Sequence, residues 1–111
     1  MPRGDYLGEF EQIVMLAVAR LGTGAYGIAI LDEIQERTGL EAAVASVYAA
    51  LDRLQRRGFV ASRVGLPTPE RGGRAKRFFS VEPAGAYALQ RSRKALDSLW
   101  DDLELDTEGL V

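Results

Sequence analysis

The sequence predicts a mainly α-helical fold with a small β-hairpin and a long C-terminal helix. Three segments of helical period come first, and two β-type segments then flank a stretch rich in Pro and Gly. Charge is segregated as well, because residues 53–77 hold eight Lys or Arg side chains and a single acid in a chain of formal net charge −2. This order of elements is that of a winged helix-turn-helix with an added C-terminal helix.

The first predicted helix runs from about Leu7 to Leu21 and ends at Gly22. Its apolar residues recur at helical spacing, but they extend over more than one side of the helix. A helix of this kind must be covered on more than one side, and in a chain of 111 residues a second subunit is a natural cover. We therefore expect Phe10 and Val14 to lie in a dimer interface.

The second predicted helix runs from about Tyr26 to Thr38 and is stopped by Gly39. Its spacing places Ile28, Leu31 and Ile34 on the inward side.

The third predicted helix runs from about Val44 to Arg57, and Val47, Leu51 and Leu54 share one side of it. The opposite side carries small side chains and could therefore enter a DNA major groove. Arginines further along the helix could reach base edges or phosphates. The residues of this outer side are Ala45, Ser46, Ala49, Arg53 and Arg56.

Two strand-like segments follow, Phe59 to Gly65 and Ala75 to Glu82, and a β-hairpin with a long exposed tip is the simplest geometry for them. Alternation places Arg77, Phe79 and Val81 on one face of the second strand. We expect Phe79 to be buried in the core and Arg77 to contribute to the fold.

The last predicted helix starts at Pro83 and reaches about Leu103. Residues 1–82 would form the DNA-binding domain, and residues 83–111 a dimerisation helix with its tail. Apolar residues repeat along this helix like a coiled-coil seam and are expected in the dimer interface: Leu89, Leu96, Leu99, Trp100 and Leu103.

Composition excludes several classes of site. The chain contains no Cys and no His, which removes thiolate and imidazole metal ligands, disulfides and His-dependent catalytic triads. The stretch "GTGAYG" matches a dinucleotide-binding pattern, but it follows a helix and not a strand, so the glycines are expected to shape a turn. No motif places a pair of acids for hydrolysis, and we expect neither a cofactor nor enzymatic activity.

The N-terminal residues carry acids and no apolar signal segment, and the longest apolar run is too short to span a membrane. A soluble, cytoplasmic protein is therefore expected. The basic segment favours a polyanionic partner, although a solvated face without a partner has the same charge pattern.

Five stretches in this order resemble the PadR family of bacterial transcriptional regulators, and together they cover about residues 7–104. They are "LGEFEQIVMLAVARLG", "AYGIAILDEIQERTG", "ASVYAALDRLQRRGFV", "GGRAKRFFSVEPAG" and the terminal helix. The resemblance implies a homodimer that binds a near-palindromic operator in double-stranded DNA, often as a repressor released by a small molecule. It also implies that dimerisation involves mainly the C-terminal helix and the first helix.

The resemblance places Tyr26 and Gly27 at the start of the second helix, where backbone N–H groups could meet a phosphate. Tyr48 corresponds to a characteristic family tyrosine near the DNA surface, with Ser46 beside it. The wing motif corresponds to Gly72, Gly73, Arg74 and Lys76, and Arg71 adds a further charge at the predicted tip.

For Trp100, two interpretations remain open: packing in the dimer seam, or a wall of a site between two C-terminal helices for a small hydrophobic or aromatic effector. Leu96 and Leu99 would line the same site. The alternative function is a winged-helix protein-interaction module without a DNA role, in which the apolar seam matters and the arginines of the third helix do not.

Overall fold

The computed structural model describes residues 6–65 and 75–108. Four helices and one antiparallel hairpin follow in the predicted order, which confirms the mainly helical winged-helix fold. Their bounds are α1 Glu9–Leu21, α2 Gly27–Thr38, α3 Val44–Arg56, β1 Val60–Val64, β2 Arg77–Val81 and α4 Pro83–Trp100, with a short 3-10 turn at Gly22–Gly24.

Local chemistry explains where the helices begin and end. The Glu11 carboxylate accepts a hydrogen bond from the Gly8 backbone N–H at 3.0 Å, which caps the start of α1. Gly39 ends α2 in the left-handed conformation, with φ of 73°, and its N–H donates to the Gln35 carbonyl. Pro83 occupies the first turn of α4, as predicted.

The core lies between α1, α2, α3 and the base of the hairpin. Its largest fully buried side chains include Met15, Ile30, Ile34, Leu51 and Leu54. Ile30 and not Ile28 faces inward on α2, since Ile28 is half exposed. The inward prediction for Ile28 is wrong because the packing of α2 rotates its inner face towards Gly27 and Ile30, and periodicity alone does not set that phase.

Val14 has no exposed surface in the single chain, since it is packed in the core. The expectation that Val14 contacts a second subunit is therefore wrong. Phe10 and Leu89 are half-buried against the same core and keep part of their surface free. Leu103 lies beyond the end of α4, which stops at Trp100, although its backbone N–H still donates to the Trp100 carbonyl.

The hairpin has a definite register, with Val60 opposite Val81 and Ser62 opposite Phe79. Phe79 is 4% exposed, which confirms its predicted burial. On the other edge of β2, Tyr26 forms an isolated antiparallel bridge with Phe78, and the Phe79 N–H donates to the Ala25 carbonyl at 2.8 Å. The segment that precedes α2 is thereby attached to the hairpin.

Candidate nucleic-acid interface

The side chain of Tyr48 on α3 packs against the start of α2. At Gly27 an added Cβ atom would lie 2.1 Å from the Tyr48 hydroxyl oxygen and 2.3 Å from Cζ, so only glycine leaves room for the phenol there. Tyr48 nevertheless remains 45% exposed. Tyr48 therefore lies on a flank of α3 that faces the start of α2.

The start of α2 offers backbone donors. Its N-cap residue, Tyr26, makes no side-chain capping hydrogen bond, and the first intrahelical bond is donated by the Ile30 N–H to the Tyr26 carbonyl at 2.9 Å. The preceding N–H groups of the first turn therefore have no partner within the helix. They stand at the positive end of the helix dipole, where an anion such as a phosphate is stabilised.

Two cationic side chains flank a pair of aromatic rings where the outer face of the hairpin meets the start of α2. The Lys76 ammonium lies 4.2 Å from the centre of the Tyr26 ring, and the Tyr26 ring meets the Phe78 ring edge-on at 5.8 Å. On the neighbouring strand, the Arg63 guanidinium lies 4.8 Å from the Phe78 ring. These contacts hold two positive charges beside the start of α2.

Arg63 was not among the predicted site residues. Its guanidinium also donates to the Thr23 carbonyl at 3.3 Å, which places it near the turn between α1 and α2. Strand register is the signal that identifies it, because Arg63 is directly opposite Phe78. Sequence alternation within a single strand does not supply that register.

The outer side of α3 begins with small side chains, as expected, and Ala45, Ser46 and Ala49 are all exposed. Its cationic end is partly neutralised. Arg53 lies 3.6 Å from the Glu11 carboxylate, and Arg56 forms an ion pair with Asp52 one turn earlier. Both arginines remain accessible, but each already has an acidic partner, so they are weaker candidates for DNA contact than Lys76.

Four predicted residues of the wing tip, Arg71, Gly72, Gly73 and Arg74, lie outside the described residues. Among the residues that are described, the structure brings Tyr26, Gly27, Tyr48 and Lys76 together at one junction of α2, α3 and the hairpin.

A second surface follows α4, whose C-terminal half is exposed. Large apolar side chains accumulate there, with Leu99 76% exposed and Trp100 53% exposed. Between α1 and α4 lies an open cleft of about 830 Å³, to which Leu16, Leu89, Leu96 and Trp100 contribute apolar surface. Two of the three predicted effector residues, Leu96 and Trp100, line this cleft, and Leu99 does not. The cleft lies between α1 and α4 of one chain, whereas the prediction placed the site between the C-terminal helices of two chains.

Within residues 6–65 and 75–108, no helix is both long and apolar enough to cross a membrane, and no group of three or more acidic side chains is arranged to hold a metal ion.

Comparison with known proteins identifies one family. Residues 15–91 match the model of the Transcriptional regulator PadR-like family. No curated protein matches the sequence of the chain.

Solved structures share the fold at low identity. A PadR-like transcription factor from Bacteroides fragilis is 16% identical, with a TM-score of 0.69 over 84% of this chain and 84% of that one. A PadR family regulator from Eggerthella lenta is 22% identical, with a TM-score of 0.64 over 85% and 81% of the two chains. A PadR family regulator from Clostridium difficile is 14% identical, with a TM-score of 0.65 over 84% of this chain and 96% of that one.

Proposed function

The chain belongs to the PadR-like family of transcriptional regulators, and from this premise we propose that it is a homodimeric repressor of a near-palindromic operator. The family consists of DNA-binding regulators and not of enzymes.

The observation that carries the proposal is the junction of α2, α3 and the hairpin. There the exposed Tyr48 phenol lies against Gly27, and the Lys76 ammonium lies over the Tyr26 ring. The uncapped first turn of α2 adds backbone donors at the same place. A hydroxyl, an ammonium group and helix N–H groups around one point are the donors that a DNA phosphate accepts.

This junction supports a specific approach of α3 to DNA. With a phosphate held at the start of α2, the small side chains of Ala45, Ser46 and Ala49 enter the adjacent major groove. Apolar and hydroxyl side chains of this kind contact thymine methyl groups and base edges. Lys76 and Arg63 then lie on the hairpin side, where the wing tracks the backbone.

The experiment is enrichment of bound sequences from a random pool of double-stranded DNA. A two-fold symmetric dimer predicts two inverted half-sites whose centres are about one helical turn, roughly 10 base pairs, or a multiple of it, apart. A variant with Tyr48→Ala should enrich the motif poorly, whereas Arg37→Ala, on the exposed end of α2 and paired with Glu33, is the matched control. Enrichment of no motif would overturn specific DNA binding and favour the protein-interaction module.

We propose dimerisation through α4 because the apolar side chains of its C-terminal half are largely exposed in the single chain. Leu96, Leu99 and Trp100 are each more than half exposed. Exposed apolar patches of this kind mark interaction surfaces, and a second copy of α4 offers a matching seam. Phe10 on α1 keeps enough surface to contribute at the edge.

We propose that the cleft between α1 and α4 takes a small hydrophobic or aromatic effector. Its apolar lining and its volume of about 830 Å³ are suited to such a molecule, and the indole of Trp100 offers a flat surface for stacking. Because Trp100 is the single tryptophan of the chain, its fluorescence reports on this cleft and on the proposed dimer seam to which it also belongs. Titration with aromatic compounds should quench that fluorescence and release the operator together; quenching without release would refute an effector role.

A further inference from the structure

Three polar side chains from three elements meet where the hairpin passes α3. The Arg77 Nε of β2 donates to the Ser62 Oγ of β1 at 3.0 Å, and its Nη2 donates to the Gln55 Oε1 of α3 at 3.1 Å. The Ser62 hydroxyl also donates to the same Gln55 oxygen, at 3.3 Å. We call this group of Gln55, Ser62 and Arg77 the clasp.

The two halves of the hairpin are held by different forces. At its base, Val60 and Phe79 are buried in the core, and the Phe79 N–H bonds the segment before α2. Towards the tip the apolar support ends, since Val64 is 72% exposed opposite Arg77. A two-stranded ribbon without a packed face is only marginally stable, so this outer half depends on side-chain contacts to the body.

The clasp supplies that support on the α3 side. Among the described residues, its bonds are the side-chain hydrogen bonds that join the hairpin to α3. The ring contact between Tyr26 and Phe78 supports the opposite face from the start of α2. The outer hairpin is thus held between the two helices of the helix-turn-helix.

We infer that Arg77 is a positioning residue, which with Gln55 and Ser62 fixes the angle between the wing and α3 so that both contact DNA as one rigid unit. This inference rests on the proposed function. Without the clasp, α3 would still enter its groove, while the wing would occupy its contact position for only part of the time. The apparent affinity falls in proportion to the fraction of molecules in the competent arrangement.

Arginine is suited to this role because its planar fork bonds two acceptors at fixed angles, which a lysine cannot do. The clasp uses Nε and Nη2, and no carboxylate takes part in it, so the positive charge of Arg77 is retained at the protein surface. Substitutions can therefore separate the effect of the positive charge of Arg77 from the effect of its hydrogen-bond geometry.

The test uses Gln55→Leu and Arg77→Lys in the full chain, with Gln35→Leu as a matched control on the exposed end of α2. Gln55→Leu removes the shared acceptor and leaves every charge in place, while Arg77→Lys keeps the charge and removes the fork. Each variant is first examined without DNA by amide hydrogen exchange. The reporter is the Gly65 N–H, which donates to the Lys76 carbonyl at 2.7 Å in the outer hairpin, and the reference is the Phe79 N–H at its base.

Both clasp variants should exchange the Gly65 amide roughly five-fold faster, the effect of removing one or two solvent-exposed hydrogen bonds, with the Phe79 amide unchanged. On the enriched operator, both should bind roughly five-fold more weakly and show reduced hydroxyl-radical protection at the outer positions covered by the wing, while protection by α3 persists. The control should behave like the wild type throughout.

Three results would overturn the inference. Wild-type exchange and footprints in both variants would show that the clasp holds nothing. Weaker binding of Arg77→Lys alone would show that Arg77 contacts phosphate directly. Equal acceleration at Gly65 and Phe79 would show a general loss of stability. If no sequence is enriched at all, the proposed function fails and with it the role of the clasp in DNA binding, while the exchange data still show whether the clasp holds the hairpin.

Discussion

Replacing Gly27 by alanine tests the junction at the start of α2 most directly. The added methyl carbon would lie 2.1 Å from the Tyr48 hydroxyl oxygen and 2.3 Å from Cζ, distances at which one of the two groups must move. Tyr48 is the group that yields, because its side chain is 45% exposed and can rotate towards solvent, whereas Gly27 is fixed in the backbone of α2.

Gly27→Ala should affect the stability of the fold less than it affects DNA binding. Alanine is favoured over glycine in a helix by up to about 1 kcal/mol, which offsets part of the packing energy that disappears when the Tyr48 ring moves away from α2. The free energy of unfolding should therefore change by less than about 1 kcal/mol. DNA binding should be weakened by the loss of the hydrogen bond that we propose between the Tyr48 hydroxyl and a phosphate, worth about 1.5 kcal/mol or roughly tenfold in affinity.

The assay is operator binding at fixed salt, together with thermal unfolding. Gly24→Ala is the matched control, since an added Cβ there meets no atom within 4 Å and the backbone φ is not positive. The decisive comparison is the double variant with Tyr48→Ala. If Gly27→Ala acts by displacing Tyr48, it should cost nothing further once Tyr48 is gone.

Two results would refute this reasoning. Wild-type operator affinity in Gly27→Ala would show that the position of Tyr48 does not matter for DNA. Additive reductions of affinity in the double variant would show that Gly27 acts independently of Tyr48, as a backbone donor that alanine disturbs.

The remaining predictions concern the core, the proposed dimer and the wing. Phe79→Ala should lower the free energy of unfolding by about 3–5 kcal/mol in denaturant titration, because it empties a buried site; a decrease below about 1 kcal/mol would mean that the hairpin base is not part of the core. Gly85→Ala should destabilise the fold by about 2 kcal/mol in the same titration despite the better helix propensity of alanine, since its Cβ would lie 2.2 Å from the Phe59 carbonyl oxygen; equal or higher stability would contradict this. Leu99→Glu should shift the sedimentation equilibrium from dimer to monomer. The monomer should still unfold cooperatively on heating, because this residue is 76% exposed in the single chain. An unchanged dimer would exclude this part of α4 from the interface. Lys76→Gln should reduce the slope of log affinity against log salt by about 0.9 for each phosphate that is no longer neutralised; an unchanged slope would remove Lys76 from the interface.

Much of the fold follows from local patterns in the sequence. Gly39 and Pro83 mark a helix end and a helix start through their own backbone preferences, and the structure has both. Alternation in the second strand placed Phe79 inward, and it is buried. These signals depend on only a few neighbouring residues, so the sequence predicts them without knowledge of the tertiary structure.

The phase of each helix and the pairing of distant side chains could not be read in this way. Ile28 and Ile30 are both apolar, and only the packing of α2 on α1 and α3 decides that Ile30 is buried. Val14 was expected to contact a second subunit because the hydrophobic pattern of α1 does not say how many of its sides its own chain covers.

The candidate site shows the same division. The amino-acid sequence alone predicts a helix-turn-helix and a basic hairpin, and its resemblance to a family singles out Tyr26, Gly27, Tyr48 and Lys76. Folding brings these four residues to one junction and gives Arg53 and Arg56 acidic partners. It also brings Arg77 to Gln55, 22 positions away along the chain. Periodicity and charge are local properties, whereas register, helix phase and ion pairing depend on which distant segments the folded core brings into contact.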